Sequence, residues 1–226
     1  MNQYSYWFSF LFPWLLVLWL LHLVPAACRP RALTRRQSTG NPVRQFGSTF
    51  GLAILSAILI LLPVGGLPAG RWLAALNLPP SVPLLALLAG QVWKNAFKTE
   101  VFRLPDRQAG WVFGSLAGLA LYPMALGLGR FDPYGLGWQF SPLFGVIALA
   151  TLALVWKRNR FGLLLLGSLI AYDLRLLDTT NFWDYLVDPV YWLLCLTWVT
   201  RAIVRKARLY HSGRATETAC SSATAK

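Results

Sequence analysis

Acidic side chains gather in one segment in the last third of the chain. Four of the eight Asp and Glu residues lie between positions 173 and 188, together with one arginine. The five charged residues of this segment are Asp173, Arg175, Asp178, Asp184 and Asp188. Carboxylates that are held together serve as general acids and bases, as cation ligands or as proton carriers. The segment is therefore the candidate polar site of the chain.

The spacing of these residues predicts that they share faces of two helices. Arg175 and Asp178 are three residues apart, and Asp184 and Asp188 are four apart, as on one side of a helix. A turn between the two helices would then bring four carboxylates and one guanidinium into an outward-facing pocket. Asp173 would lie inside an apolar helix, where an ionised carboxylate is costly unless it is paired or hydrated.

Helix capping explains two of the carboxylates equally well. Asp184 would lie in the first turn of a helix that Thr180 or Asn181 caps. The pair Asp188-Pro189 is typical of an N-cap residue followed by the first helical position. Asp178 would then lie in water, and a ligand-binding role and a structural role both remain open for this segment.

The elements that position these residues are apolar helices. Hydrophobic residues make up 56% of the 226-residue chain and charged residues 13%, against about 25% charged residues in a soluble domain. About 20 apolar residues cross a hydrocarbon core of about 30 Å. The sequence predicts an all-α integral membrane protein, with a transmembrane domain over residues 1–208 and a disordered cytoplasmic tail over 209–226. Its seven transmembrane helices are predicted near 7–27, 46–64, 82–97, 109–128, 142–156, 161–177 and 185–203.

Basic residues indicate the orientation of these helices. Alternate loops of a seven-span chain lie on opposite sides, and one side receives 18 of the 21 Lys and Arg residues. The other side receives Arg71 and Arg130, and Arg175 lies near it. Cytoplasmic loops carry the excess of Lys and Arg, so the N-terminus is predicted to be extracytoplasmic and the C-terminus cytoplasmic. This pattern suits a multi-pass protein of the bacterial inner membrane.

Small residues recur at four-residue spacing in the fourth predicted span, as Gly110, Gly114 and Gly118. Such a stripe lets another helix approach closely. The approaching helix would belong either to the same chain, as packing within the bundle, or to a second protein, as in a homodimer.

Composition and motifs argue against several classes of function. The net charge of +13 would suit nucleic acid, but the basic residues lie between apolar runs, so the predicted partner is the lipid bilayer. Three cysteines and two histidines lack the spacing of a metal site. Neither a Gly-rich phosphate loop nor a Gly-x-Ser-x-Gly elbow is present in the sequence. No metal, cofactor or catalytic residue is therefore assigned.

Three functions remain compatible with the sequence. The favoured one is a non-catalytic subunit or assembly partner of a cell-envelope complex, because small-residue faces suit a membrane-protein partner. The second is a membrane-embedded enzyme that acts at the outer face on a lipid-linked substrate through the acidic segment. The third is a small-solute or ion permease. A permease needs a polar path to both faces, yet the cytoplasmic halves of the spans offer little beyond Gln91 and Asn95.

Overall fold

Helices make up most of the chain, as the computed structural model shows. The structure describes the backbone of residues 3–27, 42–76 and 79–224, and the side chains of residues 10–23, 47–76 and 79–208. Most of the arginine-rich loop after the first helix lies outside the described residues. The prediction of an all-α fold is confirmed at this level.

The longer helices follow the predicted spans in order. They are α1 (Gln3–Ala27), α2 (Pro42–Leu61), α4 (Val82–Phe97), α5 (Leu104–Pro123), α6 (Pro142–Trp156), α7 (Phe161–Asp173) and α9 (Pro189–Thr224). Shorter elements join them: the antiparallel strands β1 (Pro63–Val64) and β2 (Leu67–Pro68), α3 (Ala69–Ala75) and α8 (Phe182–Leu186). A π-helical segment (Met124–Leu128) extends α5, and a 3-10 turn covers Pro133–Gly137.

Proline marks where several helices begin. Pro142 and Pro189 are the first residues of α6 and α9, and Pro105 lies in the first turn of α5. A proline at this position loses no helical hydrogen bond, because the first N–H groups of a helix have no partner within it.

Helix length gives limited support for membrane crossing. Among the described residues, one helix is long and apolar enough to cross a membrane, and it runs from Leu104 to Leu128. Four further apolar stretches have 10–17 residues, namely Phe10–Leu23, Gly47–Leu61, Pro142–Trp156 and Phe161–Asp173. The 13 residues of α7 extend over about 20 Å at a rise of about 1.5 Å each. Seven crossings therefore do not follow from helix length.

The core forms where the helices pack in pairs. Helix α5 packs against α9, α6 against α7, and α1 against both α2 and α4. Helix α4 also contacts α7 and so joins the two halves of the bundle. Large side chains such as Phe161, Leu165 and Tyr185 are fully buried between these helices.

The glycine stripe of α5 faces helices of the same chain. A Cβ atom at Gly118 would lie 2.1 Å from Cδ1 of Trp192, and one at Gly114 would lie 2.6 Å from Sγ of Cys195. At Gly110 the nearest atom would be Cε2 of Phe161, at 3.0 Å. The stripe therefore permits the close approach of α9 and α7.

Helix α9 extends beyond its predicted end. It has 36 residues and continues to Thr224, so the backbone is helical over most of the tail that the composition predicts to be disordered. The prediction of disorder rested on the small polar residues of the tail, and alanines among them favour a helix.

Loops at each end of the bundle are joined by hydrogen bonds. At one end, the Asp106 carboxylate accepts hydrogen bonds from the backbone N–H groups of Arg103, at 2.8 Å, and Arg160, at 2.9 Å. These bonds connect the α4–α5 loop to the α6–α7 loop. At the other end, the indole N–H of Trp183 donates to the carbonyl of Pro133 at 2.8 Å, which connects the α5–α6 loop to the α7–α9 segment.

Candidate functional site

The first helix of the acidic segment ends earlier than the sequence predicts. Helix α7 stops at Asp173, and Asp173, Arg175 and Asp178 are all exposed. The N–H of Leu176 donates to the carbonyl of Ala171 at 3.0 Å, and the N–H of Arg175 donates to that of Tyr172 at 3.0 Å. With Arg175 at a φ of 49°, these bonds form a Schellman motif.

This helix end corrects two predictions. Arg175 and Asp178 do not share a helix face, because the chain leaves the helix before either residue. Asp173 does not lie inside an apolar span but at the helix terminus. Neither Asp173 nor Arg175 has an ion-pair partner within 4 Å among the described residues.

Asp184 and Asp188 also lie on separate elements. Asp184 is in the short helix α8, which ends at Leu186. Val187 is extended, with φ of −150° and ψ of 133°, and Asp188 precedes α9. Asp184 and Asp188 therefore do not share one helix face as expected, because the extended Val187 changes the direction of the chain between them.

Asp188 joins the starts of two helices. It is 3% exposed, and its Oδ1 accepts a hydrogen bond from the N–H of Tyr191 at 2.8 Å, as an N-cap of α9 does. Its Oδ2 accepts from the N–H and the hydroxyl of Ser81, at 2.8 and 2.5 Å. Ser81 is the residue before α4. The carboxylate thereby holds the start of α9 against the start of α4.

Asp184 joins α8 to the α5–α6 loop. Its two oxygens accept from the hydroxyl of Tyr134, each at 3.1 Å, and one also accepts from the hydroxyl of Thr179 at 2.5 Å. Burial raises the pKa of Asp184, while the hydrogen bonds from Thr179 and Tyr134 act in the opposite direction. Burial and the charge of Asp184 raise the pKa of Tyr134 to about 12.

A buried asparagine completes this network. Asn181 caps α8 by accepting from the N–H of Trp183 at 2.9 Å, and its side-chain amide donates to the carbonyl of Tyr134 at 3.0 Å. A Cβ atom at Gly137 would lie 1.8 Å from Oδ1 of Asn181. Glycine is therefore required where the 3-10 turn meets the asparagine.

Sequence reasoning missed most partners in this network. It named Asn181 as a possible cap, but it did not assign a role to Ser81, Tyr134 or Thr179. Tyr185 was also missed: it is fully buried, and its hydroxyl accepts from the N–H of Leu177 at 3.2 Å. The only local signal was the position of Ser81 before a proline-containing helix start, which is typical of a cap.

Asp173 borders an apolar cleft. The cleft has a volume of about 500 Å³ and lies between the start of α6 and the end of α7. It is lined by Phe140, Phe144, Leu169, Ile170, Tyr172, Asp173 and Leu174. Phe144 stacks on Phe140, with ring centroids 5.5 Å apart, and on Phe182, at 4.4 Å. One carboxylate therefore stands at the edge of an aromatic and aliphatic surface.

The five charged residues do not form one pocket. Asp184 and Asp188 are used in separate hydrogen-bond networks, whereas Asp173, Arg175 and Asp178 face outward. Within the described ranges, no group of three His, Cys, Asp or Glu side chains could hold a metal ion. The arrangement connects loops and helix ends, and it leaves Asp173 and Arg175 available to a ligand.

No family model, curated protein or solved structure matches the chain.

Proposed function

We propose that the chain is a non-catalytic subunit or assembly partner of a cell-envelope complex in a bacterial inner membrane. The observation that carries this proposal is that the two most buried carboxylates of the acidic segment are hydrogen-bonded to other parts of the chain. Asp184 and Asp188 together accept hydrogen bonds from Thr179, Tyr134, Ser81 and Tyr191. Carboxylates that cap helices and join loops are bound to the protein itself, which argues against a role for them as acid, base or metal ligand.

The proposal includes seven membrane crossings with an extracytoplasmic N-terminus. The hydrogen bonds between loops support it, because each one joins loops that alternate topology assigns to the same side. Asp106 connects two basic loops of the cytoplasmic side. Ser81 and Asp188 connect two loops of the opposite side. A chain with one span fewer in its middle would put these partners on opposite faces of the membrane.

The surface of the bundle supports a lipid environment. Side chains along one side of α2 are apolar and exposed, as are those along α6; they include Phe50, Ile54, Ile58, Leu61, Val146, Leu149 and Leu152. Monomeric soluble proteins rarely expose such large continuous apolar patches.

Exposed apolar residues in the π-helical extension of α5 and just before α6 continue this surface. Leu126, Leu128 and Phe140 are 80%, 81% and 91% exposed, and all three lie at the predicted outer side. We infer that these three side chains lie in the outer leaflet and form an apolar layer there. It would add to the roughly 20 Å of the shorter helices and so approach the roughly 30 Å of a hydrocarbon core.

A second candidate is an enzyme that acts at the outer face on a lipid-linked substrate. The cleft beside Asp173 is the observation that favours it, because an apolar cleft with one polar group at its edge suits an amphiphile. The cleft provides a single carboxylate, and Asp178 is not among its lining residues, so a paired acid and base is not available there.

Native electrophoresis with charge variants tests the subunit role. The triple variant Asp173→Asn/Arg175→Gln/Asp178→Asn removes the exposed charges and leaves the two buried networks intact. After mild solubilisation of the source membranes, we expect the parent and the triple variant to migrate in the same complex, well above the 25.3 kDa chain in its micelle. Migration of the parent as a monomer would contradict a subunit role. If the triple variant enters the complex fully but cannot replace the parent protein in the cell, the result would favour the enzyme that acts on a lipid-linked substrate.

A further inference from the structure

We propose that the cleft between α6 and α7 binds an aminophospholipid, a lipid with a primary ammonium and a phosphate in its headgroup. Its acyl chain would lie against the aromatic wall, its ammonium would pair with Asp173, and its phosphate would pair with Arg175. This inference rests on the proposed location in a membrane and does not depend on the subunit role.

The cleft has the size and surface of a binding site for an acyl chain. Its volume of about 500 Å³ lies within the roughly 300–1,000 Å³ that is usual for ligand pockets. All lining residues except Asp173 are aromatic or aliphatic. Phe140 is 91% exposed although its ring stacks on Phe144, so an apolar occupant would bury a large surface.

Asp173 indicates a cationic group at the mouth of the cleft. It is the only ionisable carboxylate in the lining, it is exposed, and no described residue pairs with it. A carboxylate at the margin of hydrocarbon is stabilised by pairing with a cation. A primary ammonium supplies both charge and N–H donors, and charge-assisted hydrogen bonds are stronger than neutral ones.

Arg175, which is exposed just beyond the end of α7, is the side chain that we assign to the lipid phosphate. It occupies the left-handed position of the Schellman motif, at a φ of 49°, where glycine is usual. An arginine there is strained relative to glycine, and its guanidinium has no ion-pair partner among the described residues. Arginine matches phosphate geometry with two parallel hydrogen bonds.

The two charges together select the class of headgroup. Asp173 lines the cleft, and Arg175 follows it two residues later on the exposed end of α7, so we place the ammonium of a zwitterionic headgroup at Asp173 and its phosphate at Arg175. A choline headgroup has the same charges but no N–H donor for the carboxylate. A glycerol headgroup has the phosphate but no cation for Asp173.

Lipid titration of the purified full-length chain tests the proposal. The protein, in detergent micelles, is titrated with phosphatidylethanolamine, phosphatidylcholine and phosphatidylglycerol of identical acyl chains, and bound lipid is measured by native mass spectrometry. We expect phosphatidylethanolamine to bind about tenfold more tightly than the other two lipids, as one charged hydrogen bond would give. Equal binding of all three lipids would overturn the proposal. The orientation of the chain does not enter this measurement, so its failure leaves the proposed function standing.

Four variants locate the site. Asp173→Asn should remove the preference for phosphatidylethanolamine. Arg175→Gly should weaken the binding of all three lipids, because each carries a phosphate, and glycine at this left-handed position should leave the helix end folded. Ile170→Trp should fill the cleft and weaken all three lipids. Asp178→Asn is the matched control, because Asp178 is an exposed carboxylate of the same loop outside the cleft lining. Parent-like selectivity in Asp173→Asn, unchanged binding in Ile170→Trp, or an equal loss in Asp178→Asn would each contradict the assignment.

Discussion

Asp188 accepts two hydrogen bonds from Ser81, a residue 107 positions earlier in the chain. The same carboxylate caps α9 through the N–H of Tyr191. One buried side chain therefore fixes the starts of α4 and α9 relative to each other. This relationship gives the carboxylate between the two apolar helices a structural role.

Substitution of Asp188 should destabilise the fold. Asp188→Ala removes a helix cap, which contributes about 1 kcal/mol, and leaves the buried N–H of Ser81 without a partner, at about 1–3 kcal/mol. We expect a loss of about 2–4 kcal/mol and a clearly lower apparent Tm in detergent. Asp178→Ala is the control, because Asp178 is exposed and should leave the Tm unchanged. Equal Tm values for the two variants would rule out the structural role of Asp188.

The stability contributed at Asp184 should depend on pH. Because burial raises its pKa in the folded protein, the folded state binds a proton more readily than the unfolded state. Its contribution is therefore most favourable below the ordinary pKa of 3.8 and is lost as pH rises through the raised value. We expect the Tm of the parent, relative to the Tm of Asp184→Asn at the same pH, to rise as the pH falls from 7 towards 4. A constant difference, or a gain in the opposite direction, would show that the pKa is not raised.

Two glycines in apolar helices should respond differently to alanine. At Gly118 the added Cβ would meet Trp192 at 2.1 Å, whereas at Gly51 it would meet nothing within 4 Å. Gly118→Ala should lower the Tm through displacement of α9. Gly51→Ala should preserve or raise it, since alanine favours a helix over glycine by about 1 kcal/mol. A harmless Gly118→Ala would show that α5 and α9 are farther apart than the structure has them. A lower Tm for Gly51→Ala would show that another helix packs on the face of α2 that is open at Gly51.

Glycine at position 175 should stabilise the end of α7. Arg175 adopts a left-handed conformation that costs a non-glycine residue about 1–2 kcal/mol, so Arg175→Gly should raise the apparent Tm. Arg175→Gln is the matched control, because glutamine removes the charge and retains the strain. A rise in both variants would attribute the effect to charge rather than to the backbone.

Local features of the structure were predictable from the sequence. Asp188 before Pro189 and Asn181 before α8 are caps whose signals lie within four residues of each helix start. The apolar runs likewise predicted the order of the longer helices. Each of these features depends on the order of neighbouring residues, which the sequence shows directly.

Long-range and atypical features were not predictable. Tyr134 and Asp184 are 50 positions apart, and no spacing rule connects a loop tyrosine to a later carboxylate. The end of α7 was placed too late because its left-handed position holds Arg175 instead of the glycine that normally signals a helix end. The expected charged pocket depended on that longer helix and also on one helix that carries both Asp184 and Asp188, which the extended Val187 interrupts.

In the proposed topology the chain crosses the membrane seven times, with its acidic segment outside. Cysteine labelling in intact cells tests it most directly, with Asp178→Cys and Arg158→Cys introduced singly into a Cys28→Ser/Cys220→Ser parent that keeps the buried Cys195. Both positions are exposed and lie at the two opposite ends of α7. A membrane-impermeant maleimide should label the cysteine at position 178 in intact cells and the one at position 158 only after lysis. Labelling of both positions in intact cells, or of position 158 alone, would contradict the account.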